Sequence, residues 1–138
     1  MKQSLILQQH IPFASMIYKA LDFCEVMLSH SDTLYPFAVL SIGNDMQCVF
    51  TPTSQQHAPE SMIEALQLRI NERKLFAKST VSLLVYPAII SHPEQYDSDA
   101  LVFTITDSAG KNNVTIYPYC MNKHGITVNK PYTCDFSD

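Results

Sequence analysis

Three glycines in 138 residues, at positions 43, 110 and 125, limit this chain more than any other feature. Each sits where the chain must reverse. Gly43-Asn44-Asp45 separates two apolar runs, and such residues tolerate the positive φ of a tight hairpin. Asp107-Ser108-Ala109-Gly110 fits a type I turn closed by a glycine bulge. Asn122 to Gly125 reads as a third turn. Strands joined by tight turns run antiparallel. The same scarcity closes the main phosphate-loop routes, because Rossmann and P-loop fingerprints need several glycines within a few residues.

The rest of the chain fills in around those turns. Residues 13–28 carry no glycine or proline and predict a first helix, with Pro12 in the first turn where a missing N–H costs nothing. Phe13, Ile17, Ala20, Leu21, Cys24 and Leu28 form a stripe at the helical period. Met16, Phe23, Val26 and Met27 widen it beyond what one sheet should cover. That width predicts a helix packed on two sides, by a second element or a second subunit. It makes Met16, Phe23 and Met27 candidate interface residues. Residues 34–42 are apolar apart from Ser41 and predict a strand covered on both faces. Residues 46–51 return as its partner.

A second helix opens at Ala58-Pro59-Glu60-Ser61, since proline and glutamate both suit a first turn. Its core stripe is Met62, Ile63, Leu66 and Ile70, with Gln67, Arg69, Glu72 and Arg73 turned to water. Residues 80–90, 100–106, 113–119 and 126–128 read as strands. Pro87 places an edge or a bulge in the first of them. Residues 1–11 read as a lead-in, with a short strand over Leu5-Ile6-Leu7, and 130–138 as a loosely ordered tail. The expectation is one α+β domain over 1–138. Its order is α-β-β-α-β-β-β, with an antiparallel sheet of five to six strands and both helices on one face. Profilin-like and roadblock-like domains share that element order by analogy.

Charge narrows the function classes. Charged residues make up 16% of the chain, against a typical ~25%, and the net charge is -4. Low surface charge favours burial against a partner. The nine Lys and Arg form no stripe, so the sequence points away from nucleic acid. No window reads as a signal peptide or a membrane span, which leaves the cytoplasm as the default. Cys24, Cys48, Cys120 and Cys134 are scattered, with no disulfide framework and no paired zinc spacing; the expectation is no metal and no cofactor.

Three constellations carry candidate chemistry. Cys120 and His124, four residues apart across a turn, offer a thiol beside an imidazole. His92 with Asp97 and Asp99 offers a base beside carboxylates in one polar loop. The alternative for both is ordinary packing or a solvated loop. Three Tyr-Pro steps, at Tyr35, Tyr86 and Tyr117, with Tyr119 following the last, would line an aromatic ligand groove if they gathered at one sheet end. Otherwise each simply ends a strand.

Tyr35-Pro36-Phe37, Pro59-Glu60 and Tyr117-Pro118-Tyr119 together resemble a family of small, uncharacterised bacterial α+β proteins. The resemblance spans residues 34–119. It implies one intact domain and carries over no catalytic residue. The leading expectation is a non-enzymatic interaction protein, homodimeric through the first helix or a sheet edge. A small-ligand sensor using the tyrosines is the second reading. A small hydrolase using Cys120 and His124, or His92 with Asp97 and Asp99, is the third.

Overall fold

Gly43 and Gly110 both lie in the left-handed region, at φ 61° and φ 87°. They reverse the chain in a computed structural model that describes residues 11–31, 33–43, 45–51, 58–91, 97–122, 125–128 and 132–134. Helix α1 (Ile11–Ser31) leads to β1 (Phe37–Ile42), which turns at Gly43 into β2 (Asp45–Phe50). Helix α2 (Pro59–Phe76) follows, and then β3 (Val81–Ser91), β4 (Asp97–Thr106), β5 (Asn112–Asn122), β6 (Gly125–Val128) and β7 (Tyr132–Cys134). The sheet order is β2-β1-β3-β4-β5-β6, with β7 also on β5. Every pair is antiparallel. The α+β class and the α-β-β-α-β-β-β order are those read from the sequence, with the short strands β6 and β7 continuing that order.

Local chemistry explains where the elements start and stop. Asp107 accepts the backbone N–H of Ala109 at 2.9 Å and of Lys111 at 2.8 Å through its side chain. Its carbonyl accepts the Gly110 N–H at 3.0 Å, the bond that closes a type I turn. Helix α1 runs three residues past Leu28 because its last carbonyls find donors. Ser31 Oγ donates to Met27 O at 3.0 Å, and His30 Nδ1 donates to Val26 O at 2.9 Å. The first strand begins at Phe37 instead of Leu34, because Pro36 has no N–H to give a ladder. Pro87 sits where β3 has outrun β1, whose pairing ends at Val85. Pro118 falls between the registers of β7 and β6 on β5, which differ by one residue.

The position of the helices is a correction. Both were expected on one face, yet α1 and α2 lie on opposite faces. Phe37 and Val39 of β1, with Leu83, Val85, Leu101 and Phe103, pack with Met16, Ile17, Ala20 and Cys24 of α1. Ala38 and Leu40, with Leu84, pack with Leu66 and Ile70 of α2. Side chains alternate along a strand, so a strand apolar at every position needs cover on both sides. A single-face layout would have left Ala38 and Leu40 in water.

Most of the wide apolar arc of α1 is also covered within the chain, with Val26 left exposed at 56%. The sheet curls around α1, which contacts β1, β3 and β6. Phe23 leaves the central stripe to meet Phe37 and Phe50 edge-on, with ring centroids 6.1 Å and 5.3 Å away. Phe37 and Phe50 are cross-strand partners, and their rings stack at 5.6 Å. Such aromatic contacts add to the area they bury.

The chain end departs from expectation too. Tyr132–Cys134 was read as loose tail, but it pairs with Val114, Thr115 and Ile116 of β5. Strand pairing uses the backbone, so a polar sequence does not forbid it. The lead-in over residues 1–10 and its Leu5–Leu7 strand lie outside the described residues, as do 130, 131 and 135–138. Phe37→Ala should cost about 3–5 kcal/mol, because the ring is fully buried and two neighbouring rings lose their partner. Urea denaturation with an unchanged m-value would measure it; a loss under about 1 kcal/mol would contradict the packing described.

Candidate functional site

Among the described residues β2 forms one edge of the sheet and β6 the other, and the β2 edge is the one that adjoins a cavity beside α2. Strand β2 pairs with β1 alone. A hairpin with a two-residue turn closes on a hydrogen-bonded pair, here Ile42 and Asp45. Alternation along the ladder then points the N–H and C=O of Met46, Cys48 and Phe50 outward. Their side chains go to the α1 face, while Gln47 and Val49 go to the α2 face.

Helix α2 stands beside this edge. Its buried stripe of Met62, Leu66 and Ile70 faces the sheet. Arg69 and Arg73, four residues apart and so on one flank, are turned towards β2. A cavity of about 450 Å³ opens between them, lined by Gln47, Cys48, Val49, Phe50, Arg69, Glu72 and Arg73. On the other face, burial pushes the Cys48 thiol up in pKa while the positive charge of Lys19 opposes the shift. The cavity beside the edge thus carries two cations, Arg69 and Arg73, and one carboxylate, Glu72. The opposite flank of α2 carries Lys74, whose pKa burial lowers and Asp107 partly restores.

The residues singled out from the sequence fall elsewhere. Met16 is buried against the sheet, so it is not a surface residue; Phe23 and Met27 are half-buried against the same core. The tyrosines do not gather. Tyr86 pairs in register with Val102, and Pro87 with Leu101. Leu101 in turn opposes Tyr117, so Tyr86 and Tyr117 point to opposite faces. Tyr86 joins the α2-side core, and Tyr117 and Tyr119 the α1-side core. Phe103 meets Tyr117 edge-on at 5.0 Å. Tyr35 is exposed ahead of β1. A groove lined by all three Tyr-Pro steps is thereby corrected: sheet parity splits them.

Cys120 is exposed on the α2-side face of β5, while its expected partner His124 lies outside the described residues. His92 lies outside them as well. Asp97 and Asp99 are exposed at the start of β4, and Asp97 Oδ1 accepts from Ser91 Oγ at 3.1 Å. Among the described residues no group of three or more His, Cys, Asp and Glu could hold a metal ion. No helix among them is long and apolar enough to cross a membrane.

Two further features escaped the sequence reading. A smaller cavity of about 250 Å³ lies between α1 and β6, lined by Tyr18, Asp22, Glu25 and Val128 among others. Leu68, Leu75 and Phe76 of α2 are exposed, Phe76 at 91%. Their wider spacing signals a second apolar line outside the core stripe. No protein-family model, curated protein or solved structure matches the chain significantly. The bacterial resemblance thus rests on its three short motifs.

The thiol of Cys24, buried beneath α1, is pushed up to about 12, chiefly by burial. A raised folded-state pKa for an acid keeps the proton on in the fold but not in the unfolded chain. The stability it represents is full below the ordinary value of 9.0 and is lost as pH rises towards 12. Unfolding free energy should fall above pH 9 by up to about 1.4 kcal/mol per pH unit from this group. Cys24→Ala should flatten that limb in chemical denaturation curves; an unchanged slope would remove the thiol as its source.

Proposed function

We propose that the chain is an interaction protein that receives an extended segment of a partner along β2, by strand addition. One observation carries the reading: an edge strand with outward-pointing backbone at Met46, Cys48 and Phe50 beside an open cavity. An added strand satisfies those groups with main-chain hydrogen bonds and uses neighbouring pockets for alternate side chains. Natural edges are commonly blocked by proline, by lysine or by a bulge. The sequence of β2, Asp-Met-Gln-Cys-Val-Phe, contains none of the first two, and its register with β1 is unbroken.

A homodimer through this edge or through α1 is the rival within the same class. The main support for α1 was its wide apolar arc, and Met16, Phe23 and Met27 now have partners in the chain's own core. The edge therefore carries the proposal.

A linear random-peptide library selected on the wild-type protein tests it. Cys48→Pro serves as counter-selection, since it removes an outward N–H and leaves the β1 ladder intact. Enriched peptides should slow amide exchange at Met46, Cys48 and Phe50. Equal enrichment on Cys48→Pro, or protection elsewhere in the sheet, would remove β2 as the site.

A further inference from the structure

The charges around β2 specify the segment it takes. We propose that this segment is acidic, with carboxylates on alternate residues of the added strand. The proposal rests on strand addition at β2.

Arg69 and Arg73 line the cavity on the α2 face, accompanied there by Glu72. Lys19 acts on Cys48 from the α1 face. Two of the chain's nine Lys and Arg thus line one cavity beside this strand, in a protein whose net charge is -4. Among the described residues, neither arginine is held in an ion pair. Their charge is available to an incoming chain.

Spacing supports the match. Residues four apart on a helix are separated by about 6 Å along its axis. Alternate residues of a strand are about 6.8 Å apart and share a face. Two carboxylates at i and i+2 of the added strand would therefore stand opposite Arg69 and Arg73, where arginine binds a carboxylate through two parallel bonds. The intervening residues would face Met46, Cys48 and Phe50 on the α1 side and should be apolar.

A second copy fits less well. It would offer β2 itself, with Asp45 at one end as its carboxylate, and would bring another Arg69 and Arg73 to the same junction against one further carboxylate, Glu72. Like charges brought together oppose that pairing, and they favour a partner of opposite sign.

Fluorescence anisotropy with three labelled octapeptides, alternating valine with glutamate, threonine or lysine, distinguishes these cases. The glutamate peptide should bind about ten-fold or more tighter than the threonine peptide, and the lysine peptide weakest. The advantage should shrink as salt rises from about 0.05 M to about 0.5 M, and reverse in Arg69→Glu/Arg73→Glu. N-methylation of alternate residues in the glutamate peptide should abolish binding without altering the protein. Equal binding of all three peptides, blocked by N-methylation, would overturn the acidic assignment and leave strand addition standing. A glutamate advantage that survives charge reversal would overturn the role of the two arginines. Binding of none, with light scattering showing a dimer that Cys48→Pro dissociates, would assign the edge to a second copy. Binding of none by a monomer would overturn both readings.

Discussion

A strand that is apolar at every position from Phe37 to Leu40 governs this fold. It cannot lie on a half-solvated sheet. Burying Phe37 and Val39 demands one layer, and burying Ala38 and Leu40 demands another. The two helices supply those layers, and the connection from β2 through α2 to β3 helps to decide which goes where. The strands β2 and β3 flank β1 and run parallel to each other. Crossovers between parallel strands of one sheet are overwhelmingly right-handed, which selects a single face for α2. The other face falls to α1. The three-layer arrangement follows from one strand and one chirality rule.

That reasoning also marks what could be read in advance. The turns were legible because Gly43 and Gly110 occupy backbone conformations that other residues avoid. The element order followed from the turns and the helical stripes. The side taken by each helix was not legible, because a strand apolar on both faces gives no direction. It required the sheet order, which is a property of distant pairs. The same limit hid β7: Tyr132–Cys134 carries little apolar signal, and its order comes from the edge of β5.

The candidate site was legible only in fragments. Arg69 and Arg73 could be placed on the water side of α2, and a sheet edge could be named as a possible interface. That β2 is the edge, and that the arginines flank it, depends on β3 docking on the far side of β1. The tyrosines misled for a related reason. Tyr-Pro steps repeat in sequence, but the pleat sends Tyr86 one way and Tyr117 the other. Proline explains them as backbone devices: Pro36 precedes β1, Pro87 follows the last β1 partner of β3, and Pro118 sits at a break in register.

The outrun of β3 past Val85 has a dynamic meaning. From Tyr86 to Ser91 this strand has β4 on one side and no β1 pairing on the other. The hairpin arm ends in exposed Ile89, Asp97 and Asp99, away from the helix-covered centre. Its hydrogen bonds near the tip are backed by few buried side chains, so they open at a small fraction of the global unfolding free energy. The middle of the same two strands, through Leu83, Val85 and Phe103, opens only with the whole molecule. One pair of strands thus spans the full range of local stability, from fraying to cooperative, within about six residues of chain.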